Sequence, residues 1–456
     1  MRKLLLLAFL CASVAGAQTC NPGNTSGCPT TIPGTPGSTT PTAVTGSGYT
    51  IGGVTTASID VINQAQYNPT VCPGTNTTGD GGCTVTVFMP HEAPSNSSKY
   101  EKIYVYHGGG LSAGNAASSD GFANGTGCCQ SSILWVQQKL GTPNPAGGKG
   151  IIIYQVNYRE VPAGGGFNAN IFPAQYQDAK CAWQYTNANP STFPGNTSIM
   201  GMYGPSAGGL MVQWAARTPD NAYTTSCPVS APGTDPTFIA VEAWSPTVWL
   251  CMPGGGTACT YGNGSFDNVT QTQAYRNLIK SEMNSATEAT IQTNCSGFGT
   301  YGCDPFQNIV SGNALLSQPT LFIFGYYNNS LTLGDILVMP YCNINGVTTG
   351  CTGGAAMGNL YGLSAQYNAQ TTIHPFMQIL AEPCPHECDL ANTWPNIPSL
   401  NDAFNFLMAT GQPLGGGGLG GNLSLLAEPC LHECDFSDLP PATEFELPRQ
   451  LIPGGQ

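Results

Sequence analysis

The residues best suited to chemistry are Ser206 and the two glycines that flank it in the motif GPSAG, residues 204–208. An apolar run at 199–203 leads into the motif, and a segment compatible with a helix follows it. A strand, a tight turn and a helix form the setting in which Gly-x-Ser-x-Gly exposes a nucleophilic serine, and Gly204 and Gly208 lack the side chains that would clash there. A serine hydroxyl is a weak nucleophile by itself. The chemistry therefore requires a general base, an acid that orients it, and donors for a developing oxyanion.

A second glycine motif supplies candidates for those donors. His107 and three glycines directly follow an apolar, strand-like run at 102–106. Because glycine lets the backbone approach a reacting carbonyl closely, we predict an oxyanion hole made by the N–H groups of Gly109, Gly110 and Ala207. In this interpretation His107 anchors the loop and is not the base.

The base must come from one of five histidines. In hydrolases built around this kind of turn the chain order is serine, acid, histidine, and two of the five histidines precede Ser206. That order leaves His374, His386 and His432. The last two lie inside a repeated cysteine motif, where a structural role is favoured. His374 follows a strand-like segment at 370–373, and we predict it as the base.

The acid should lie on a loop that follows a strand, where it can orient the histidine. The strand-like run at 320–324 is followed by Asn328, which cannot ionise, and then by Asp335. We predict Asp335 as the acid, on an extended loop. Glu242, on the preceding strand, is the alternative.

The elements that must position these residues alternate between strand and helix. Apolar β-type runs are separated by segments with helical spacing, which predicts a mostly parallel central sheet flanked by helices, with disulfide-rich loop insertions. The predicted strands are 83–89, 102–106, 150–156, 199–203, 238–244 and 320–324, and the predicted helices include 172–187 and 270–283.

The first 17 residues are typical of a secretory signal peptide, with two basic residues, a short apolar run and small residues before the cleavage position. We therefore expect an exported protein. Removal of Cys11 leaves 19 − 1 = 18 cysteines, an even number that favours disulfides in an exported chain. The expected close pairs are Cys20/Cys28, Cys72/Cys83, Cys251/Cys259, Cys295/Cys303 and Cys342/Cys351.

Charge limits the classes of partner. Without Arg2 and Lys3 the net charge changes from −13 to −13 − 2 = −15, which argues against nucleic acid or an anionic membrane surface as partner. No further stretch is long and apolar enough to span a bilayer, so we expect no stable membrane insertion. Sequons would carry glycans in a eukaryotic secretory pathway, as in a glycoprotein; they are at Asn24, Asn76, Asn96, Asn124, Asn196, Asn263, Asn268, Asn294, Asn328 and Asn422.

Composition divides the mature chain into three parts. We predict a Thr/Pro/Gly/Ser-rich segment at 18–47, a catalytic domain at 48–410 and a Gly-rich linker with a cysteine-containing tail at 411–456. One repeat stands out, because LAEPCPHECD at 380–389 recurs as LAEPCLHECD at 426–435. Each copy contains Cys-x-His-x-Cys. Together the copies would have enough ligands for a metal, but two disulfide-bonded turns are favoured in an exported chain.

Four segments carry a resemblance to a known family: YVYHGGG at 104–110, VNYR at 156–159, FPAQYQDAKCA at 172–182 and GPSAGG at 204–209. In their order and spacing they resemble the α/β-hydrolase superfamily, specifically the hormone-sensitive-lipase-like carboxylesterases and the related acetyl and feruloyl esterases. The resemblance implies an α/β-hydrolase fold with the serine as nucleophile, the glycine loop as oxyanion hole and His374 as base.

The expected function is a secreted serine esterase that needs no metal or organic cofactor. Its expected substrates are small or polymeric esters, such as short acyl, plant-wall acetyl or feruloyl, or polyester compounds. Two alternatives stay open: a catalytically inactive hydrolase-like binding or adhesion protein, and an exported serine peptidase of the same fold. The oligomeric state is left open by the sequence.

Overall fold

A computed structural model describes residues 31–44, 49–51, 54–56, 59–72, 82–109, 111, 114, 150–160, 173–205, 207–222, 226–235, 240–244, 320–325, 377–382 and 424–427. The strands in these residues are β1 (Thr42–Ala43), β2 (Tyr49–Ile51), β3 (Val54–Thr56), β4 (Ile59–Gln66), β5 (Thr84–Pro90), β6 (Tyr100–Tyr106), β7 (Gly150–Val156), β8 (Asn196–Pro205), β9 (Ala240–Trp244), β10 (Thr320–Gly325), β11 (Met377–Glu382) and β12 (Ser424–Ala427). The α-helices are α1 (Ala174–Ala188) and α2 (Ala207–Arg217), and two short 3₁₀ turns lie at Ala93–Ser95 and Ser97–Lys99.

Within the described residues, ten of these strands form one sheet in the order β1-β4-β5-β7-β6-β8-β9-β10-β11-β12. The seven strands from β7 to β12 along this order run parallel. Strand β5 is antiparallel to both of its neighbours, and β1 is antiparallel to β4. The predicted mostly parallel sheet is therefore confirmed, and β2 and β3 form a separate antiparallel pair.

The central strands are buried along their whole length. Every residue of β6 and β7 is buried, although consecutive side chains of a strand point to opposite faces. Strands that are covered on both faces become apolar and β-branched throughout, and the GIIIYQV sequence of β7 has this character. The predicted strand at 150–156 is thus confirmed at its own boundaries, and the predicted strand at 102–106 begins two residues earlier.

Helix α2 packs against the sheet, and α1 packs against α2 and accepts a hydrogen bond from Tyr106 of β6. Helix α1 confirms the helix predicted at 172–187, and Pro173 precedes its first residue. Helix α2 follows β8 after one residue and contacts β6, β8 and β9. Tyr176 of α1 meets Trp214 of α2 with ring centroids 4.7 Å apart, and Trp214 is fully buried. No helix among the described residues is both long and apolar enough to cross a membrane.

The N-terminal segment is bound to one edge of the sheet. Strand β1 pairs with β4, and the Asn63 side chain donates to the carbonyl of Gly34 at 2.9 Å. The Gly37 amide in turn donates to the Asn63 carbonyl at 2.9 Å. The segment thereby covers the backbone edge of β4, which would otherwise be open to pairing with another chain. The domain boundaries predicted at residues 48 and 411 stay predictions.

The two copies of the repeat begin as neighbouring strands. Strands β11 and β12 are parallel, and their register pairs Leu380 with Leu426 and Ala381 with Ala427. These pairs are the equivalent positions of the two copies, since the repeat is shifted by 46 residues. The repeat is evident in the sequence, but neither strand is predicted by it.

Two disulfides lie within the described residues. Cys72–Cys83 confirms one of the expected close pairs. The second, Cys181–Cys227, joins α1 to the segment after α2 and was not predicted. The other expected pairs lie outside the described residues.

Candidate active site

The candidate site lies where the carboxyl ends of β6 and β8 meet. The chain passes from β6 to β7 on one side and then returns to β8 on the other side of β6. Open α/β sheets bind their ligands at the carboxyl edge, at such a reversal of strand order. The His107 loop leaves from β6 and the Ser206 turn leaves from β8, so the fold brings the two predicted motifs to one place.

The turn after β8 has no room for side chains at its two glycines. A Cβ atom on Gly204 would lie within 3.0 Å of backbone atoms of Gly208 and Gly209. A Cβ atom on Gly208 would lie equally close to the backbone of Tyr106 and His107. Real Cβ atoms essentially never come that close to other atoms. The predicted steric requirement for glycine at these two positions is therefore confirmed.

Two of the three predicted donors, Gly109 and Ala207, lie in the described residues, one on each side of this contact. Ser206 lies outside the described residues, between Pro205 at the end of β8 and Ala207, the first residue of α2. The first N–H groups of a helix have no acceptor within the helix, so they can bind an anion. Ala207 has such an N–H. Gly109 lies in the loop after β6 with a φ of 104°, a conformation that favours glycine. Gly110 lies outside the described residues.

The loop after β6 is fixed by His107. The imidazole is buried, and its Nδ1 lies 2.7 Å from the carbonyl oxygen of Gly108. Burial lowers the pKa of His107 to about 4, although the bond to the Gly108 carbonyl opposes the shift. The ring is therefore neutral near pH 7, and Nδ1 must carry the proton in order to donate to that carbonyl. These contacts agree with the anchoring role predicted for His107.

An ion pair joins the end of β7 to α1. The backbone amide and Nε of Arg159 both donate to Asp178 Oδ2 at 2.8 Å, and an Nη atom of Arg159 donates to Oδ1 at 2.9 Å. Burial raises the pKa of Asp178, and the charge and hydrogen bonds of Arg159 oppose that rise. Both segments carry the family resemblance that is evident in the sequence. The structure adds that they are in direct contact.

The predicted acid and base lie outside the described residues at Asp335 and His374. The alternative acid, Glu242, lies within β9, opposite Tyr203 of β8 and two positions before the end of the strand. Strand β11 begins at Met377 and runs parallel to β10, so it ends at the carboxyl edge of the sheet with Glu382.

One cluster of potential metal ligands occurs in the described part of the chain: Cys72, Cys83 and Asp178. Its two cysteines are joined in a disulfide, and its carboxylate is paired with Arg159. This donor set does not fit a metal, because disulfide sulfurs are not thiolates.

Comparison with known families adds to this geometry. Residues 87–241, about a third of the chain, match the family model described as BD-FAE. The matched stretch contains the His107 loop, the Arg159–Asp178 pair and the Ser206 turn. A mostly parallel sheet with a Gly-x-Ser-x-Gly turn at the end of a strand is typical of α/β-hydrolases. The chain has the α/β-hydrolase fold. The resemblance to this superfamily predicted from the sequence is confirmed.

Several solved structures are similar to this chain at low sequence identity. A truncated carbohydrate esterase from gut microbiota is 14% identical, with 77% of this chain and 96% of that chain covered and a TM-score of 0.43. Esterase B from Lactobacillus rhamnosis is 13% identical, with 77% and 86% covered and a TM-score of 0.46. A Pyrobaculum calidifontis esterase is 15% identical, with 73% and 81% covered and a TM-score of 0.40. No curated protein matches the sequence.

Proposed function

We propose that this α/β-hydrolase is an exported serine esterase that cleaves carboxylic esters through an acyl-enzyme. The observation that carries the proposal is the contact between the two motifs. Gly208, two residues after the serine, packs against the backbone of Tyr106 and His107 so closely that no side chain fits. The nucleophile and the oxyanion donors of an acyl-transfer site must lie this close together. The BD-FAE match and the similarity to solved esterases agree with the same class of reaction.

In the proposed mechanism the Ser206 hydroxyl attacks the ester carbonyl while a histidine accepts its proton. The negative charge that develops on the carbonyl oxygen is bound by the N–H groups of Gly109, Gly110 and Ala207. Collapse of the tetrahedral intermediate breaks the bond to the alcohol oxygen, which leaves with the proton from the histidine. Water then attacks the acyl-enzyme with the same histidine as base, which releases the acid and restores the serine.

Two histidines are candidates for the base. His374 is the prediction from the sequence, and it precedes the first residue of β11, Met377, by three positions. His386 follows the last residue, Glu382, by four positions. The Ser206 turn is at the carboxyl edge of the sheet, and β11 ends at that edge. The direction of β11 therefore supports His386 as a second candidate.

The acid is proposed as Asp335, with Glu242 as the alternative. Asp335 follows β10 by ten positions, and β10 also ends at the carboxyl edge. A loop of that length would have to bring the carboxylate to the imidazole. Glu242 needs no such loop, because it lies on β9 near the carboxyl end of its strand.

The proposed substrates are extracellular esters with short acyl, plant-wall acetyl or feruloyl, or polyester groups. The signal-like sequence at residues 1–17 supports the proposed export. Two alternatives remain: an inactive binding protein, which would hydrolyse no ester, and a serine peptidase, which would hydrolyse peptides. Assays on the purified protein distinguish both from an esterase.

Labelling by a fluorophosphonate probe tests the nucleophile, with Ser206→Ala as the matched control. We expect the wild-type protein to be labelled and the variant to be unlabelled. A panel of p-nitrophenyl esters and peptide anilides then separates esterase from peptidase. An unlabelled wild-type protein, in an assay where a reference esterase reacts, would exclude the enzyme and favour a binding protein. The variant His374→Ala and the double variant His386→Ala/His432→Ala, assayed on the best ester, identify the base.

A further inference from the structure

Tyr158, two residues after β7, makes two contacts with His107. The rings of Tyr158 and His107 stack with centroids 4.3 Å apart and planes at 5° to each other. The Tyr158 hydroxyl also donates a hydrogen bond of 2.7 Å to the His107 backbone carbonyl. Both residues are buried, Tyr158 completely. A single side chain thus contacts both the ring and the backbone of the residue that begins the glycine loop.

These contacts determine the orientation of two successive peptide groups. In a trans peptide the carbonyl oxygen and the following N–H point in opposite directions. The Tyr158 hydroxyl fixes the His107 carbonyl, and thereby the direction of the Gly108 N–H. The His107 ring fixes the Gly108 carbonyl through Nδ1, and thereby the direction of the Gly109 N–H. Gly109 is one of the proposed oxyanion donors.

The ring of His107 can hold this direction only if it cannot rotate. Among the described residues its Nε2 is buried without a hydrogen-bond partner, so no hydrogen bond from that atom restrains the ring. The parallel stack with Tyr158 restrains the ring plane, in addition to the bond from Nδ1 to the Gly108 carbonyl. The His107 carbonyl is restrained from the other side as well, because it also faces Gly208 at the start of α2.

We propose that Tyr158 is a positioning residue for the oxyanion hole: through His107 it orients the peptide group that presents the Gly109 N–H to the reacting carbonyl. This inference rests on the proposed esterase function. Its consequence is specific, because oxyanion donors act on the transition state and much less on the bound substrate. Loss of Tyr158 should therefore lower kcat and leave KM nearly unchanged.

Two variants separate the contacts. Tyr158→Phe removes the hydroxyl and keeps the ring, whereas Tyr158→Leu removes both. Loss of a whole oxyanion donor costs on the order of 100-fold or more in kcat, so a displaced donor should cost less. We expect kcat to fall about 3- to 10-fold in Tyr158→Phe and about 30-fold in Tyr158→Leu, with KM within about twofold of wild type.

Tyr106→Phe is the matched control. The Tyr106 hydroxyl is also buried and also donates to a backbone carbonyl at 2.7 Å, but its acceptor is Ala179 in α1. The control therefore loses an equivalent hydrogen bond without releasing the loop. The kcat of Tyr106→Phe should stay within about twofold of wild type, although its melting temperature should fall by about as much as that of Tyr158→Phe.

The experiment measures kcat, KM, melting temperature and the inhibition constant of a trifluoromethyl ketone, whose adduct with the serine carries an oxyanion. We expect the inhibition constant to rise in proportion to the loss of kcat/KM, a result that mere destabilisation would not give. If Tyr158→Leu does not fold, Tyr158→Phe decides. Equal kcat values in Tyr158→Phe and Tyr106→Phe, in an active wild-type background, would overturn the inference alone. A wild-type protein without esterase activity would overturn it together with the proposed function.

Discussion

Adding one methyl group at Gly208 tests how the two motifs are held together. In Gly208→Ala the new Cβ would lie within 3.0 Å of Tyr106 O, Tyr106 C and His107 O. All three are backbone atoms, so no side chain can rotate away to make room. The start of α2 and the end of β6 must separate instead. The change therefore acts on the distance between the nucleophile turn and the oxyanion loop.

The size of the effect follows from the size of the clash. The two backbones must separate by about 1 Å to reach even the shortest contacts that real side chains make, and a misplacement of about 1 Å at an active site costs on the order of 100-fold in rate. Overpacking of a buried site costs about 1–3 kcal/mol of stability, occasionally more. We expect Gly208→Ala to lose at least about 3 kcal/mol, because rigid backbone lies on both sides of the clash.

The assay compares kcat/KM and urea unfolding of Gly208→Ala with those of Gly233→Ala. Gly233 is exposed in the segment beyond the C-terminal end of α2, with a φ of +77° and no atom within 4 Å of an added Cβ. Its alanine variant should lose about 1–2 kcal/mol through backbone strain alone and keep wild-type kcat/KM. If Gly208→Ala retained wild-type stability and kcat/KM, the two motifs would not be in contact as described.

Three further changes test the buried interactions around the site. Asp178→Asn leaves the Arg159 guanidinium without its carboxylate and should cost about 3–5 kcal/mol in urea unfolding, whereas a loss below about 1 kcal/mol would contradict a buried pair. Burial lowers the pKa of His107, so the ring binds a proton less readily in the folded state than in the unfolded state. The free energy of unfolding should therefore fall by about 3 kcal/mol as the pH decreases from 6.5 to 4. In His107→Gln, thermal melts over the same pH range should show a smaller decrease in stability. Replacing Cys181 and Cys227 together by alanine opens a loop of 46 residues and should lower the free energy of unfolding by about 4 kcal/mol in the same urea assay. An unchanged free energy of unfolding would show that the two cysteines are not bonded.

Sequence reasoning succeeded where one local requirement determines the structure. The Gly-x-Ser-x-Gly motif predicted a strand, a turn too tight for side chains and a helix, and the backbone contacts of Gly204 and Gly208 agree. The run GIIIYQV predicted a buried strand because only such a strand is apolar on both faces. The helical spacing at 172–187 predicted α1 to within two residues at either end.

It failed where the decisive contact joins residues far apart in sequence. The Tyr158–His107 stack joins the ends of two parallel strands, and no local pattern in either segment indicates it. Cys181–Cys227 escaped prediction because close spacing was the only criterion available for pairing cysteines. Strands β11 and β12 are short and were identified only as copies of a repeat, since four to six residues have too little periodicity to indicate a strand.

The register of β11 and β12 also determines which variants can identify the base. Because Leu380 pairs with Leu426, the chain enters the two Cys-x-His-x-Cys segments from equivalent points on neighbouring parallel strands, which lie about 4.8 Å apart. His386 and His432 then stand at the same number of residues from the paired positions. The imidazole of one copy could then replace the imidazole of the other. An active His386→Ala variant would therefore not by itself exclude the repeat as the source of the base. The double variant, compared with His374→Ala, decides between the base predicted from the sequence and the base that the direction of β11 supports.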